Sequence, residues 1–228
     1  MGAYTLGMSR RVLFRADAFP AIGIGDLMSL INLSFYFESE GWQTFFMVKA
    51  YPAALKLVDK FCLNTVPLDN SISIDSEVKK INKVIDEKRI DLVFFEITEN
   101  RLNEYSGITP DVSKACVSFD GHILNDMDLV IDWDVDYKKY FTPEKFPETK
   151  FLLGPEYVIL PNNFDFEQIT NRKRSFPPEK MLICMGGADE YNFTLKVVEK
   201  INGLNNQMEL TIILGSGYEF RQELEQYL

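Results

Sequence analysis

The sequence has few of the residues that build metal sites and disulfide frameworks. Its 228 residues include one histidine, His122, and three cysteines, Cys62, Cys116 and Cys184. The cysteines are odd in number and far apart, with neither a Cys-x-x-Cys nor a Cys/His ligand spacing. Each lies in an apolar segment. We therefore expect buried, reduced thiols, no metal and a cytoplasmic protein.

Positive charge and long apolar runs are also scarce. The 24 Lys and Arg residues face 34 Asp and Glu residues, which gives a net charge of −10. That balance disfavours nucleic acids and anionic membrane surfaces as partners. No apolar run reaches the roughly 18–20 residues that span a bilayer, and residues 1–10 lack the apolar core of a signal peptide. We expect no stable membrane insertion.

Apolar runs of strand length alternate along the chain with amphipathic helical patterns. The apolar fraction of 46% is ample for a core. The clearest helix carries Val78, Ile81, Val84 and Ile85 on one face. The strand-like runs are Val12–Phe14, Thr44–Val48, Ile90–Phe95, Ala115–Phe119 and Leu129–Ile131. This alternation predicts an α/β fold with a doubly wound, mainly parallel sheet, which we assign to an N-terminal Rossmann-like domain of residues 1–150.

The remaining residues, 151–228, predict a second and smaller unit. Two strands, Met181–Met185 and Leu210–Leu214, are each followed by a glycine-rich turn and a helix. Two such units are too few for a self-sufficient Rossmann-like domain. We therefore expect a partial C-terminal nucleotide-binding domain, either a fragment or an unusually reduced domain.

Ligand-binding residues are expected where the predicted parallel strands end. After Val12–Phe14, a turn with Gly23 and Gly25 leads into a helix, whose free amides suit a phosphate or a polar sugar. A tight strand-to-helix connection without a ligand is the alternative. Carboxylates also follow the strands, namely Asp17, Glu96, Asp120 and Asp132. Each of these, and the strand-end His122, has an ordinary loop residue as its alternative interpretation.

Three stretches of the chain together resemble one enzyme family. They are VLFRADAFPAIGIGD from Val12, FLLGPEYVILPNNF from Phe151 and MLICMGGADEYNFTLKVVEKI from Met181. They are similar to the PseG/SpsG-type UDP-sugar hydrolases of pseudaminic acid biosynthesis, which act on UDP-2,4-diacetamido-2,4,6-trideoxy-β-L-altropyranose. The resemblance implies a two-domain GT-B fold, as in the MurG-type glycosyltransferases. It also implies a sugar-nucleotide substrate and no cofactor.

The resemblance also implies roles for individual residues. The family's first turn reads G-x-G-H-x-x-R, and its histidine is thought to activate water; this chain has Asp26 and Ser29 at the histidine and arginine positions. Asp26 would then be the catalytic base. The implied substrate-binding residues are Arg15, Asp17, Gly23, Gly25, Asp120 and Asp132. The implied phosphate-binding residues are Gly186, Gly187, Ala188, Asp189 and Asn192. The family's grip on uridine corresponds to sequence beyond Leu228.

The resemblance, together with the departures from it at Asp26 and Ser29, leaves two functions open. The first is a nucleotide-sugar hydrolase or glycosyltransferase-like enzyme that cleaves the anomeric C–O bond of a deoxy-amino sugar in surface-glycan biosynthesis. The second is a non-catalytic relative that binds a sugar nucleotide or acts as a scaffold, because both Asp26 and Ser29 depart from the family. The state of Asp26 separates them, since an Asp that caps a helix is a poor base. A dinucleotide-binding dehydrogenase fits less well because GIGDLM lacks the third glycine.

Overall fold

The computed structural model describes residues 9–19, 22–97, 102–119, 121–164, 176–203, 208–215 and 217–228. The chain divides into two compact units. The first comprises the chain up to Ala18 together with Asp26–Asn162, and the second comprises Phe19–Gly25 with Asn163–Leu228. Each unit has its own parallel sheet and its own apolar core.

The first unit is built on a seven-stranded sheet in the order β3-β2-β1-β4-β5-β6-β7. Its strands are β1 (Arg11–Ala16), β2 (Gln43–Lys49), β3 (Thr65–Leu68), β4 (Leu92–Glu96), β5 (Ser113–Val117), β6 (Leu129–Asp132) and β7 (Lys150–Leu153). Its helices are α1 (Gly25–Ser39), α2 (Pro52–Lys60) and α3 (Ile74–Lys88). All neighbouring strands run parallel. The predicted α/β fold with a mainly parallel sheet is therefore confirmed.

The two faces of this sheet are covered by different helices. On one face, Phe14 stacks on Phe46 with ring centroids 5.1 Å apart, lies 5.9 Å from Phe94, and meets Phe37 of α1 at 5.6 Å. On the other face, the apolar side of α3 packs against Leu13 in the core. Because side chains alternate along a strand, each strand residue can be assigned to the α1 face or the α3 face. This assignment determines which strand-end carboxylates share a face of the sheet.

The predicted apolar side of α3 is confirmed, since Val78, Ile81, Val84 and Ile85 are all buried. The helix begins at Ile74. Its N-cap is Ser73, whose hydroxyl accepts the Ser76 amide. The sequence after β4 also predicts a short helix at Thr98–Tyr105. Residues 98–101 lie outside the described residues, and Leu102–Tyr105 forms a single 3-10 turn.

Strand β7 changes where the first unit ends. Residues near Phe151 were expected to open the second unit, but β7 pairs in parallel with β6 over Leu129–Asp132 and completes the first sheet. The division between the units therefore falls after Asn162. The cysteine expectation is also corrected. Cys116 is buried, as expected, but Cys62 and Cys184 are exposed, the former at a left-handed residue directly after α2.

The second unit contains β8 (Lys180–Cys184) paired with β9 (Glu209–Ile213), and the helices α4 (Phe193–Asn202) and α5 (Arg221–Tyr227). One face of this sheet packs on a small core that includes Ile183, Val198 and Leu224. The opposite face leaves Leu182 62% exposed and Ile213 50% exposed. None of the helices that the structure describes, in either unit, is long and apolar enough to cross a membrane.

Candidate active site

The strand order of the first sheet reverses direction between β1 and β4. In open parallel sheets, ligands bind outside the carboxyl ends of the strands at such a switch point. Strand β4 ends there with Glu96, which is paired in register with Ala16 of β1. Helix α1 starts beside it and places Asp26 in its first turn. The switch point is therefore lined by acidic residues of the first unit.

Glu96 and Phe94 are two residues apart in β4, so their side chains lie on the same face of the sheet. Phe94 packs beside Phe14 on the α1 face, and Glu96 therefore lies there too. The residue is only 5% exposed. Ser29 of α1 lies beside its carboxyl. Its second oxygen, Oε2, is buried without a hydrogen-bond partner among the described residues. A buried acceptor or donor without a partner costs about 1–3 kcal/mol, so natural proteins rarely leave one without a reason.

The environment of Glu96 favours its neutral form. Burial raises the pKa of Glu96 well above its usual value, and the negative charge of Asp26 raises it further, against the opposing hydrogen bond from Ser29. Asp26 itself is half-buried. Burial and the neighbouring Asp26 carboxyl thus favour a protonated Glu96, and the positive end of the α1 dipole favours negative charge in the first turn, where Asp26 lies. We refer to Asp26, Ser29 and Glu96 as the switch-point cluster.

Arg15 and Asp17 belong to a different network, on the α3 face. Arg15 is fully buried, and its Nε lies 2.5 Å from Oε1 of Glu77 while its Nη2 donates to Asp17 at 2.8 Å. Tyr105 donates its hydroxyl to the same Glu77 oxygen at 2.8 Å. The Lys49 amide donates to Asp17 at 3.0 Å. These contacts occupy both of the residues expected to bind substrate, so we infer a structural role for Arg15 and Asp17.

The charges of this network are mutually stabilised. Burial alone would raise the pKa of Asp17, but the Arg15 and Lys49 interactions outweigh it and hold the pKa below its usual value. Burial likewise raises the pKa of Tyr105, which keeps the phenol protonated as a donor. The Arg15 guanidinium stays charged because its two carboxylate partners more than offset its burial and raise its pKa.

Asp132 is also buried but lies apart from the switch-point cluster. Asp132 is two residues from Val130 in β6 and lies on the same face, which is the α3 face because Val130 belongs to the core there. Asp132 and Glu96 therefore occupy opposite faces of the sheet. Its Oδ1 accepts the Asp134 amide at 2.6 Å, and its Oδ2 has no partner among the described residues. Burial raises the pKa of Asp132, and the charge of Asp134 adds to this against the Asp134 amide hydrogen bond.

Asp120 and His122 are the remaining candidates from the first unit's strand ends. Asp120 lies outside the described residues. His122 is exposed, and its backbone carbonyl accepts the Ser118 hydroxyl at 3.5 Å. The exposed position of its side chain fits the interpretation of His122 as a loop histidine rather than as a replacement base.

Two glycine turns of the second unit, one at Gly23 and one at Gly187 after β8, pack closely against each other. Gly23 has a φ of +75°, which favours glycine. A Cβ added at Gly187 would lie 3.1 Å from the Cα of Gly23, and one added at Gly215 would lie 2.2 Å from the Gly187 carbonyl oxygen. These glycines therefore have a packing requirement in addition to any ligand.

Asp189 occupies amides that were expected to bind phosphate. Its Oδ1 accepts the Phe193 amide and its Oδ2 accepts the Thr194 amide, each at 2.8 Å, at the start of α4. Burial would raise the pKa of Asp189, but these hydrogen bonds outweigh it and lower the pKa. Asn192 is likewise engaged, since it accepts the Tyr218 hydroxyl at 2.7 Å. A carboxylate of the chain thus stands where a phosphate was predicted.

Beside this loop lies a cavity of about 300 Å³ within the second unit. It is lined by Ile22, Gly23, Met185, Gly187, Ala188, Asp189, Glu190, Tyr191 and Phe193. Its two acids, Asp189 and Glu190, disfavour an anion next to them. Its backbone and aromatic lining remains compatible with a neutral polar or planar group.

We expect Asp189→Ala to lower the free energy of unfolding by about 1 kcal/mol, because it removes the capping acceptor of α4. Urea denaturation monitored by circular dichroism measures this change. Glu190→Ala, at an exposed neighbour in the same loop, is the control and should change stability little. Equal stability of Asp189→Ala and the wild type would show that the cap contributes nothing.

Comparisons with known proteins agree on the fold. A glycosyltransferase of Rickettsia africae superposes with a TM-score of 0.57 at 14% identity, covering 96% of this chain and 70% of that chain. MurG of Acinetobacter baumannii gives 0.57 at 11% identity over 95% of this chain and 61% of its own. A Listeria monocytogenes protein assigned as a UDP-N-acetylglucosamine 2-epimerase gives 0.55 at 11% identity, over 96% of this chain and 66% of its own.

These likenesses establish a GT-B-like α/β fold and not a reaction. In sequence, the chain is 24% identical over 139 residues to an uncharacterized protein of Methanocaldococcus jannaschii. The match covers 60% of this chain, and the chain spans only 25% of the length of that curated relative. No family model matches the chain.

Glu77 and Glu96 are the residues whose importance sequence reasoning missed. Glu96 was noticed as a strand-end acid but received no role, because its orientation depends on the register of β4. Glu77 had a usable signal, since it lies four residues before Ile81 on the apolar stripe of α3. A carboxylate on a buried helix face requires a buried cation as partner, and Arg15 is that cation.

Proposed function

We propose that this chain acts on a nucleotide-linked sugar, with Asp26 of the switch-point cluster as the base. The observation that carries the proposal is a half-buried Asp26 beside a buried Glu96 whose Oε2 has no partner among the described residues, at the switch point of a GT-B-like fold. Carboxyl pairs pushed into opposite protonation states are typical of sites that move protons. The nucleotide-sugar class comes from the resemblance and from the fold of the solved neighbours.

The proposed reaction needs only one proton acceptor from the protein. Asp26 takes a proton from a hydroxyl as that oxygen forms a bond to the anomeric carbon. The bond between the anomeric carbon and the diphosphate oxygen breaks, and the nucleoside diphosphate leaves with the bonding electrons. When the hydroxyl belongs to water, the reaction is hydrolysis, as in the UDP-sugar hydrolases of pseudaminic acid biosynthesis. When it belongs to a sugar, the reaction is glycosyl transfer.

A deoxy-amino sugar in surface-glycan biosynthesis, linked to UDP, is the substrate that the resemblance favours. The proposed cellular location is the cytoplasm, and no cofactor takes part. Asp132 also ends a strand at the carboxyl edge of this sheet and has a buried Oδ2 without a partner among the described residues, and we propose it as a further substrate contact. We retain Gly186, Gly187 and Ala188 as proposed phosphate contacts through their backbone, but not Asp189.

A non-catalytic sugar-nucleotide-binding protein is the second candidate. Asp26 and Ser29 favour it, because they stand where the resembled hydrolases have a histidine and an arginine. In that case Asp26 and Glu96 would bind sugar hydroxyls without moving a proton. The two candidates share ligand binding and differ only in turnover.

Isothermal titration with UDP-N-acetylglucosamine, UDP and ADP tests the binding that both candidates share. We expect the nucleotide sugar to bind at least tenfold more tightly than UDP, because the switch-point cluster contacts the sugar. ADP is the control for non-specific nucleotide binding. The absence of heat from all three ligands at millimolar concentration would overturn the proposed function.

A further inference from the structure

We propose that Glu96 binds a neutral oxygen of the ligand, such as a sugar hydroxyl or an amide carbonyl, and that Asp26 beside it excludes phosphate from the start of α1. This inference rests on the proposed function and adds to it the part of the substrate that the switch-point cluster receives. It begins from the most buried acid of that cluster, to which the sequence alone gave no role.

The position of Glu96 is fixed by the fold around it. It is the last residue of a central strand, with β1 on one side and β5 on the other, in register with Ala16 and Val117. It is 5% exposed, and its carboxyl lies near Asp26 and Ser29 of α1. The position of Glu96 in β4 therefore places its carboxyl at the switch point.

One oxygen of this fixed carboxyl is left for another group. Oε2 is buried and has no hydrogen-bond partner among the residues that the structure describes. Glu77, by contrast, accepts hydrogen bonds from Arg15 and Tyr105 at its Oε1 and has no buried oxygen without a partner among the described residues. A ligand that fills the switch point supplies the missing partner.

The charge of the cluster selects the kind of ligand. Asp26, in the first turn of α1, is the charged group that acts on Glu96 among the described residues. A phosphate brought to this turn would meet the Asp26 carboxylate, and like charges at contact distance repel. A neutral hydroxyl or amide oxygen meets no such penalty. It can accept the proton of a neutral Glu96.

The test compares Glu96→Gln and Glu96→Ala with the wild type in titrations with UDP-N-acetylglucosamine and with UDP. Glutamine keeps a hydrogen-bond donor in nearly the same shape, so Glu96→Gln should bind the nucleotide sugar within threefold of the wild type at pH 6. Glu96→Ala should lose at least tenfold for the nucleotide sugar and nothing for UDP. Glu87→Gln, whose side chain is 59% exposed, is the matched control and should behave as the wild type.

A pH series keeps the test decisive if Glu96→Ala does not fold. The affinity of the wild type for the nucleotide sugar, divided by that of Glu96→Gln, should fall as Glu96 loses its proton with rising pH. A merely structural role of Glu96 would leave this ratio constant. Unchanged sugar affinity in Glu96→Ala, or a constant ratio across the pH series, overturns the inference alone. Failure of the wild type to bind the nucleotide sugar overturns the proposed function and this inference with it.

Discussion

Asp26→Asn is expected to lower turnover of a nucleotide sugar by at least about 100-fold, since general-base catalysis typically contributes about 10²–10⁴-fold. The amide cannot accept the proton of the attacking hydroxyl, but it keeps the size and most of the hydrogen-bonding capacity of the carboxylate. Affinity should therefore remain within about threefold. Release of the nucleoside diphosphate in a coupled assay measures turnover, and titration measures affinity.

Asp75→Asn is the matched control for this variant. Asp75 is the second residue of α3 as Asp26 is the second residue of α1, but Asp75 is exposed and away from the switch point. The control removes the same charge from the same position of a helix. If Asp26→Asn turned over as fast as the control while remaining folded, Asp26 would not be the base. If the wild type itself bound ligand without turnover, the non-catalytic candidate would stand.

Arg15→Met should lower the free energy of unfolding by about 3–5 kcal/mol at neutral pH, the range found when one partner of a buried ion pair is removed. Asp17 and Glu77 would both remain buried without their shared cation. Denaturation in urea measures the loss. Arg221→Met, which breaks an exposed pair with Glu225, is the control and should change stability little.

The pH dependence of this loss has a definite sign. The pKa of Asp17 is held below its usual value in the folded protein, so its contribution is complete above the unfolded pKa near 3.8 and is lost as the pH falls through the folded value. The difference between wild type and Arg15→Met should therefore narrow below about pH 4. Adding Glu77→Gln to Arg15→Met should recover part of the stability at pH 7. A loss below 1 kcal/mol at neutral pH would contradict the assigned role.

The sheet and helices of the first unit could be predicted because the spacing of the apolar residues indicates each of them. Apolar runs such as Val12–Phe14 and the 3.6-residue stripe of α3 have few alternative structures. The extent of the unit could not be predicted, because Lys150–Leu153 is a strand in either domain and only its pairing with β6 decides. A short strand has no local signal for the sheet that it joins.

The candidate site was predicted only in part, because the face of the sheet on which each strand-end carboxylate lies could not be predicted. A carboxylate at the end of a parallel strand lies at the ligand edge, but its face depends on an alternation that a one-residue error in register inverts. Asp17 and Asp132 fall on the α3 face and Glu96 on the α1 face. The Gly-Gly-Ala-Asp loop was ambiguous for a different reason, since a helix N-terminus binds a phosphate or the chain's own carboxylate through the same amides.

The most direct test of the central claim is a crystal structure of the protein with bound UDP-N-acetylglucosamine. We predict a sugar hydroxyl or acetamido oxygen at about 2.6–3.2 Å from Glu96 Oε2, with Asp26 within reach of a hydroxyl and no phosphate at the first turn of α1. A diphosphate bound to the amides at the start of α1, or a sugar that makes no contact with Asp26 and Glu96, would contradict the account.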